Sequence, residues 1–360
     1  MGRLRRCALL LTAFAAAWGT WGLAAEAVKA PPKPAEALGD LAPGTSKDPT
    51  FRDADLVLDY SAGWVGQLDS CGCAGGDKGG IARRATFLQQ QVASNANQVP
   101  LFAGDCPSAA SKDTPLTAAT AYEAMSRMGY QAVALGETDF RFGLAFLREQ
   151  ISRYPGLFVC ANVVDSATGK PLAEPYVVRI YPAVRAGARK ELRIAVLSLM
   201  DPALNRDLGK LLGAEAPKVK VLDAAATAKD LVPRLKQEAD LLVVMYHSAI
   251  SGAVALAQSV PGIDFLIAGH APGVFQRKTA VGATVIAASS DQGKEEAQAG
   301  VTLTPGGAPI IKVETVPLNE TFADNLAIAA LVAEYKKKAG LPPGKPSAET
   351  AAGAQPVSPL

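Results

Sequence analysis

Short runs rich in Val, Ile, Leu and Phe alternate with helix-length segments from about residue 55 to residue 338. Such runs read as strands covered on both faces, since a strand with one face in water alternates polar and apolar residues. Their alternation with helices predicts an α/β fold with largely parallel strands. Strands are expected at 55–61, 99–103, 132–135, 157–161, 193–199, 241–246, 265–269, 284–288, 299–303 and 310–315, and helices at 81–93, 117–128, 144–153, 224–238 and 326–338. The last strands follow one another without helices between them, which predicts an antiparallel edge or a second sheet.

The chain has two histidines, and each closes a strand run: His247 after Leu241 to Tyr246, and His270 after Phe265 to Gly269. Open α/β sheets place their sites at the carboxyl ends of strands, and imidazole is the commonest metal ligand. Two further expected strands end in a glycine followed at once by a carboxylate, Gly104-Asp105 and Gly136-Glu137. Taken singly, Asp105 and Glu137 read as turn and helix-cap residues. Taken together with His247 and His270, they form a set of two carboxylates and two imidazoles suited to one divalent metal ion, Mn, Zn or Fe.

Arg3, Arg5 and Arg6 precede an apolar stretch at 7–23, and Ala25-Glu26-Ala27 forms a small-x-small pattern. This predicts a signal peptide at 1–27 and an exported protein, periplasmic or extracellular. Residues 28–50 and 340–360 are rich in Pro, Ala and Gly, and are expected to be a flexible spacer and a disordered tail around one domain at 51–339. Losing three Arg and one Glu with the leader brings the formal charge of +2 to about zero. With 6% aromatic residues and no basic run, a nucleic-acid polymer is not an expected partner. No later stretch is long and apolar enough for a membrane span. In an oxidising compartment the remaining cysteines, Cys71, Cys73, Cys106 and Cys160, allow three full disulfide pairings, and the sequence does not choose among them.

The ordered series Gly79-Gly80-Ile81-Ala82-Arg83-Arg84, Gly104-Asp105, Gly136-Glu137-Thr138-Asp139-Phe140, Cys160-Ala161-Asn162, His247 and Gly269-His270 resembles the calcineurin-like metallophosphoesterases, in the branch of the secreted and periplasmic 5′-nucleotidases. The resemblance covers about residues 55–303 and implies a four-layer αββα sandwich with the site at strand ends. It leads to the expectation that the C-terminal substrate domain of the long 5′-nucleotidases has no counterpart here. It also exposes departures. The Asp-x-His motif falls at Gly63-Trp64-Val65, so Gly63 and Val65 stand at lost ligand positions. In Gly-Asn-His-Glu, Glu137 replaces Asn and Thr138 replaces His. In Gly-His-x-His, Pro272 replaces the second His. The family's first metal thus loses three of its four ligands, while the second keeps Asp105, Glu137, His247 and His270. This implies an exported hydrolase acting on the phosphoester of a nucleotide-like small molecule through a single-metal site with altered chemistry. The alternative is a non-hydrolytic metal- or thiol-bearing binding or redox protein on the same fold.

The same fold would bring the loop Ser70-Cys71-Gly72-Cys73 beside that site, with Cys106 directly after Asp105. Two readings of these thiols stay open: a structural disulfide from Cys71 or Cys73 to Cys106, or an exchange-competent thiol with a redox partner.

Overall fold

The computed structural model describes residues 51, 53–71, 77–94, 97–109, 113–183, 191–271, 278–288 and 292–343. The expected signal peptide and spacer, nearly all of the expected tail, Cys73 and Pro272 lie outside the described residues. None of the described helices is long and apolar enough to cross a membrane.

In chain order the strands are β1 (Leu56–Ser61), β2 (Gln98–Phe102), β3 (Ala132–Ala134), β4 (Phe158–Val159), β5 (Val163–Asp165), β6 (Tyr176–Pro182), β7 (Glu191–Met200), β8 (Val219–Val221), β9 (Leu241–His247), β10 (Phe265–Ala268), β11 (Lys278–Val281), β12 (Thr284–Ala288), β13 (Glu295–Thr302) and β14 (Ile310–Pro317). The helices are α1 (Ile81–Ser94), α2 (Pro115–Arg127), α3 (Gly143–Arg153), α4 (Asn205–Leu212), α5 (Ala224–Glu238), α6 (Ile250–Ser259) and α7 (Leu326–Ala339). One six-stranded sheet has the order β14-β13-β1-β2-β3-β4, and a second has the order β11-β12-β10-β9-β7-β6. Within the first, β1 to β4 run parallel and β13 and β14 add an antiparallel edge. Within the second, β7, β9, β10 and β12 run parallel, with β6 and β11 antiparallel at the edges.

Strand alternation explains the layers. Leu56, Leu58 and Tyr60 of β1, with Val99 and Leu101 of β2, face Ile194, Val196, Val243, Met245, Phe265 and Ile267 of the other sheet. The opposite faces of the strands meet helices: Phe102, Val133 and Phe158 pack with α1, α2, α3 and α7, and Leu242, Val244 and Leu266 pack with α5 and α6. A strand covered on both sides must be apolar at successive positions, which is why β9 reads as an unbroken hydrophobic run. The molecule is therefore the expected αββα sandwich.

Three features differ from the sequence reading. β6 is a full edge strand where none was expected, because Arg179 interrupts its apolar run. That guanidinium is nevertheless buried, and it donates to the carbonyls of Gln131 and Gly156 at 2.8 Å each. β5 and β8 form a small separate sheet. The short helix α4 was also unforeseen.

Candidate metal centre

Four strand ends meet where the two sheets adjoin. Asp105 follows β2, Glu137 follows β3, His247 is the last residue of β9, and His270 lies two residues beyond β10. One donor atom from each lies within 4.8 Å of all the others. His247 Nε2 is 2.9 Å from Glu137 Oε2 and 3.2 Å from Asp105 Oδ2, and His270 Nδ1 is 3.3 Å from Asp105 Oδ2 and 3.4 Å from Glu137 Oε1. A metal held tetrahedrally at about 2.0–2.2 Å by each donor has donor–donor edges of about 3.3–3.6 Å, so these separations need to widen by only a few tenths of an ångström at most. The four residues fit such an ion.

His247 is fully buried, and its Nδ1 lies 2.7 Å from the carbonyl of Ala103. A carbonyl only accepts, so Nδ1 carries the hydrogen and Nε2 is directed at the cluster, the usual arrangement of a metal-bound histidine. His270 is the open side, with a third of its side chain exposed.

The loops approach closely because they carry glycine. Gly104 has φ 97, and a Cβ there would lie 2.5 Å from His247 Nδ1. At Gly136 a Cβ would lie 2.3 Å from Asp105 Oδ1. Asp105 itself adopts φ 63, a left-handed conformation that costs a non-glycine residue about 1–3 kcal/mol and clusters at functional sites.

Burial alone would raise the Asp105 pKa. The charge of His247 and hydrogen bonds from His247, His270 and Thr138 outweigh it and hold the carboxyl well below its ordinary range. Burial would likewise lower His247, but the Asp105 and Glu137 carboxylates raise it well above its ordinary value. The hydrogen bond to Asp105 raises His270 as well. Both shifts favour the protonated imidazole. A dication would displace those protons and take over their role.

Three of the four lost-ligand positions, Gly63, Val65 and Thr138, lie among the described residues. Gly63 N, Val65 N and Gly66 N donate to the carbonyls of Gly104, Asp105 and Cys106 at 2.8, 3.3 and 2.8 Å, so this loop lies along the Asp105 loop and offers it only backbone. Thr138 donates from its backbone N (3.1 Å) and its hydroxyl (2.8 Å) to Asp105 Oδ1, leaving Oδ2 toward the cluster.

The thiol reading needs correction. Cys106 is a free, buried cysteine, so the bond expected from Cys71 or Cys73 to Cys106 is absent. Cys71 is disulfide-bonded, but neither to Cys106 nor to Cys160, which is also free and buried. Burial, with Asp139, Asp113 and Asp105 nearby, pushes the Cys106 thiol well above its ordinary value, and burial pushes Cys160 up to about 12. Both shifts disfavour the thiolate, the reactive form, at Cys106 and Cys160.

Asp139 and Tyr122 were not singled out from the sequence. Asp139 is fully buried and binds no histidine; its carboxylate accepts from the backbone of both carboxylate-bearing loops and from the Tyr122 hydroxyl. Its sequence signal is its place at the acidic fourth position of the motif that holds Glu137.

An αββα sandwich with two carboxylates and two histidines at its strand ends is a metallophosphoesterase-type fold. No family model matches the chain. Over 169 residues, 44% of this chain and 25% of the relative, it is 36% identical to a 2′,3′-cyclic-nucleotide 2′-phosphodiesterase/3′-nucleotidase of Yersinia enterocolitica. The structure of a 5′-nucleotidase precursor from Thermus thermophilus superposes with TM-score 0.65 at 23% identity, covering 79% of this chain and 59% of that one. The calcineurin-like phosphoesterase YfkN from Bacillus subtilis superposes with TM-score 0.66 at 18% identity, covering 79% and 97%. The chain thus shares its fold with 5′-nucleotidases and calcineurin-like phosphoesterases and is similar in sequence, over about half its length, to nucleotide phosphoesterases. Its matched region spans about a quarter to a third of the length of the curated relatives.

Proposed function

We propose that the protein is an exported hydrolase that cleaves the phosphoester of a nucleotide-like small molecule with one divalent metal ion held by Asp105, Glu137, His247 and His270. The observation that carries this reading is the convergence of the four donors within 4.8 Å. The relatives named above, nucleotide phosphoesterases by description, support the substrate class. When bound, the ion supplies Lewis acidity and a more acidic bound water. The chain's own residues shape what it can do. Two carboxylates and two neutral imidazoles carry a charge of about −2, which matches a dication and binds it tightly. Glu137 in place of the family's neutral Asn adds one of those charges and tempers the electrophilicity of the ion. His270, partly open to solvent, marks the side from which a substrate enters.

A second reading is favoured by one particular observation. Both histidines of the chain face the cluster, and the Thr138 hydroxyl is committed to Asp105. No histidine is left to protonate a leaving group. A metal-bearing binding protein without hydrolysis, or one whose redox function lies in the Cys71–Cys73 loop, accounts for this.

Turnover decides between them. Purified protein supplied in turn with Mn²⁺, Zn²⁺ and Fe²⁺ is expected to hydrolyse a generic phosphoester or a nucleoside monophosphate at least about tenfold faster than after chelation. Metal uptake without turnover would instead establish the binding reading.

A further inference from the structure

We infer that Asp139, backed by Tyr122, is the positioning residue that holds the two carboxylate-bearing loops at metal-binding separation. The inference rests on reading the four-residue cluster as a metal centre.

Asp139 lies in the 3-10 turn Glu137–Phe140. Its Oδ2 accepts from Gly136 N at 2.7 Å and from Asp105 N at 3.1 Å, and its Oδ1 accepts from Cys106 N at 3.3 Å and from the Tyr122 hydroxyl at 2.6 Å. Two of these amides belong to the loop after β2 and one to the loop after β3. One carboxylate therefore joins the segment bearing Asp105 to the segment bearing Glu137. It holds the two amides at and after Asp105, where the backbone takes its left-handed turn at φ 63. A buried left-handed non-glycine residue persists only where its surroundings over-determine it, and Asp139 together with the Thr138 bonds to Asp105 Oδ1 supplies that constraint.

The chemistry also separates Asp139 from the ligands. Each of its oxygens already accepts two hydrogen bonds, so neither is free for an ion. Tyr122, on α2, fixes the carboxylate from behind, and its ring is set edge-on to Phe158 with centroids 5.0 Å apart. Thus helix α2 is connected to the site through one hydroxyl. An amide at position 139 would turn one acceptor into a donor facing donors, and either orientation leaves a backbone N–H unsatisfied.

The test measures binding of Co²⁺ and Mn²⁺ to the full chain, by competition with a chromophoric chelator, together with the visible spectrum of the Co²⁺ form. Asp139→Asn is expected to weaken binding by about 10–100-fold, the range for residues that support metal ligands, and to change the Co²⁺ spectrum. Tyr122→Phe, which keeps the ring and its packing, is expected to weaken binding by about 3–10-fold, with Asp139→Glu recovering part of the loss at 139. Val232→Ala, a cavity in α5 on the far side of the second sheet, controls for lost stability and should leave affinity and spectrum unchanged. If the unsubstituted protein binds metal while Asp139→Asn and Tyr122→Phe bind it equally tightly with the same spectrum, the positioning role is overturned and the metal centre stands. If the unsubstituted protein binds neither ion, the metal centre falls and the inference with it. Should Asp139→Asn not fold, Tyr122→Phe alone decides.

Discussion

Replacing His247 with alanine is expected to lower metal affinity by more than about 100-fold, beyond the roughly 10–100-fold range of supporting residues. His247 is fully buried, lies 2.9 Å from Glu137 and 3.2 Å from Asp105, and is oriented by the Ala103 carbonyl. Its loss removes one donor of four and also the charge that holds the Asp105 carboxyl ionised. The metal-free variant should be destabilised by about 3–5 kcal/mol as well, since removing one partner of a buried ion pair leaves the other uncompensated. Chelator competition and urea unfolding read the two effects separately. A variant that keeps the affinity of the unsubstituted protein would show that the four residues are not a ligand set.

The second large effect lies away from this site, beneath α1. Asp59 of β1 is fully buried and accepts from Gln298 of β13 at 2.8 Å, while its other oxygen has no hydrogen-bond partner. Arg84 of α1 is paired with Glu296 of β13 and also reaches Ser61 at 3.1 Å. Burial pushes Asp59 up from 3.8 to about 7, against the Gln298 hydrogen bond and the charge of Arg84. An acid whose pKa rises on folding stabilises the folded state most below its unfolded pKa, and this contribution is lost as pH rises through the folded value. The window here runs from about pH 4 to about pH 7, with an upper bound of about 4 kcal/mol. Asp59→Asn keeps an acceptor for Gln298 and removes the ionisation. It should stabilise the protein by about 2–3 kcal/mol more at pH 8 than at pH 5, measured as unfolding free energies in urea. An equal effect at both pH values would contradict the account.

The parts of this molecule that were legible in the sequence are those set by local pattern. β9 and β10 are continuous apolar runs because both faces are covered, and His247 and His270 stand at their ends where a strand must expose something polar. Gly104-Asp105 and Gly136-Glu137 were visible as glycine–carboxylate turns, and the family resemblance tied them to one site. What was hidden depends on partners distant in sequence. β6 was obscured by Arg179, a charge tolerated in a strand only because two carbonyls from other elements receive it. The bond between Asp59 and Gln298 joins residues 239 positions apart. The raised pKa of the Cys106 thiol comes from three-dimensional burial beside carboxylates. Asp139 binds only backbone and a tyrosine, so it lacks the residue pattern that marks a ligand, although it lies inside the motif that drew attention to Glu137.

The central claim is one metal ion held by Asp105, Glu137, His247 and His270. Elemental analysis of purified full-length protein, after loading with Mn²⁺, Zn²⁺ or Fe²⁺ and removal of excess ion, measures it most directly. The account predicts about one equivalent per chain, falling to near zero in His247→Ala. Two equivalents would show that the position vacated by Gly63 and Val65 still binds metal, and no retained metal would show that the four residues serve only as a buried network of hydrogen bonds.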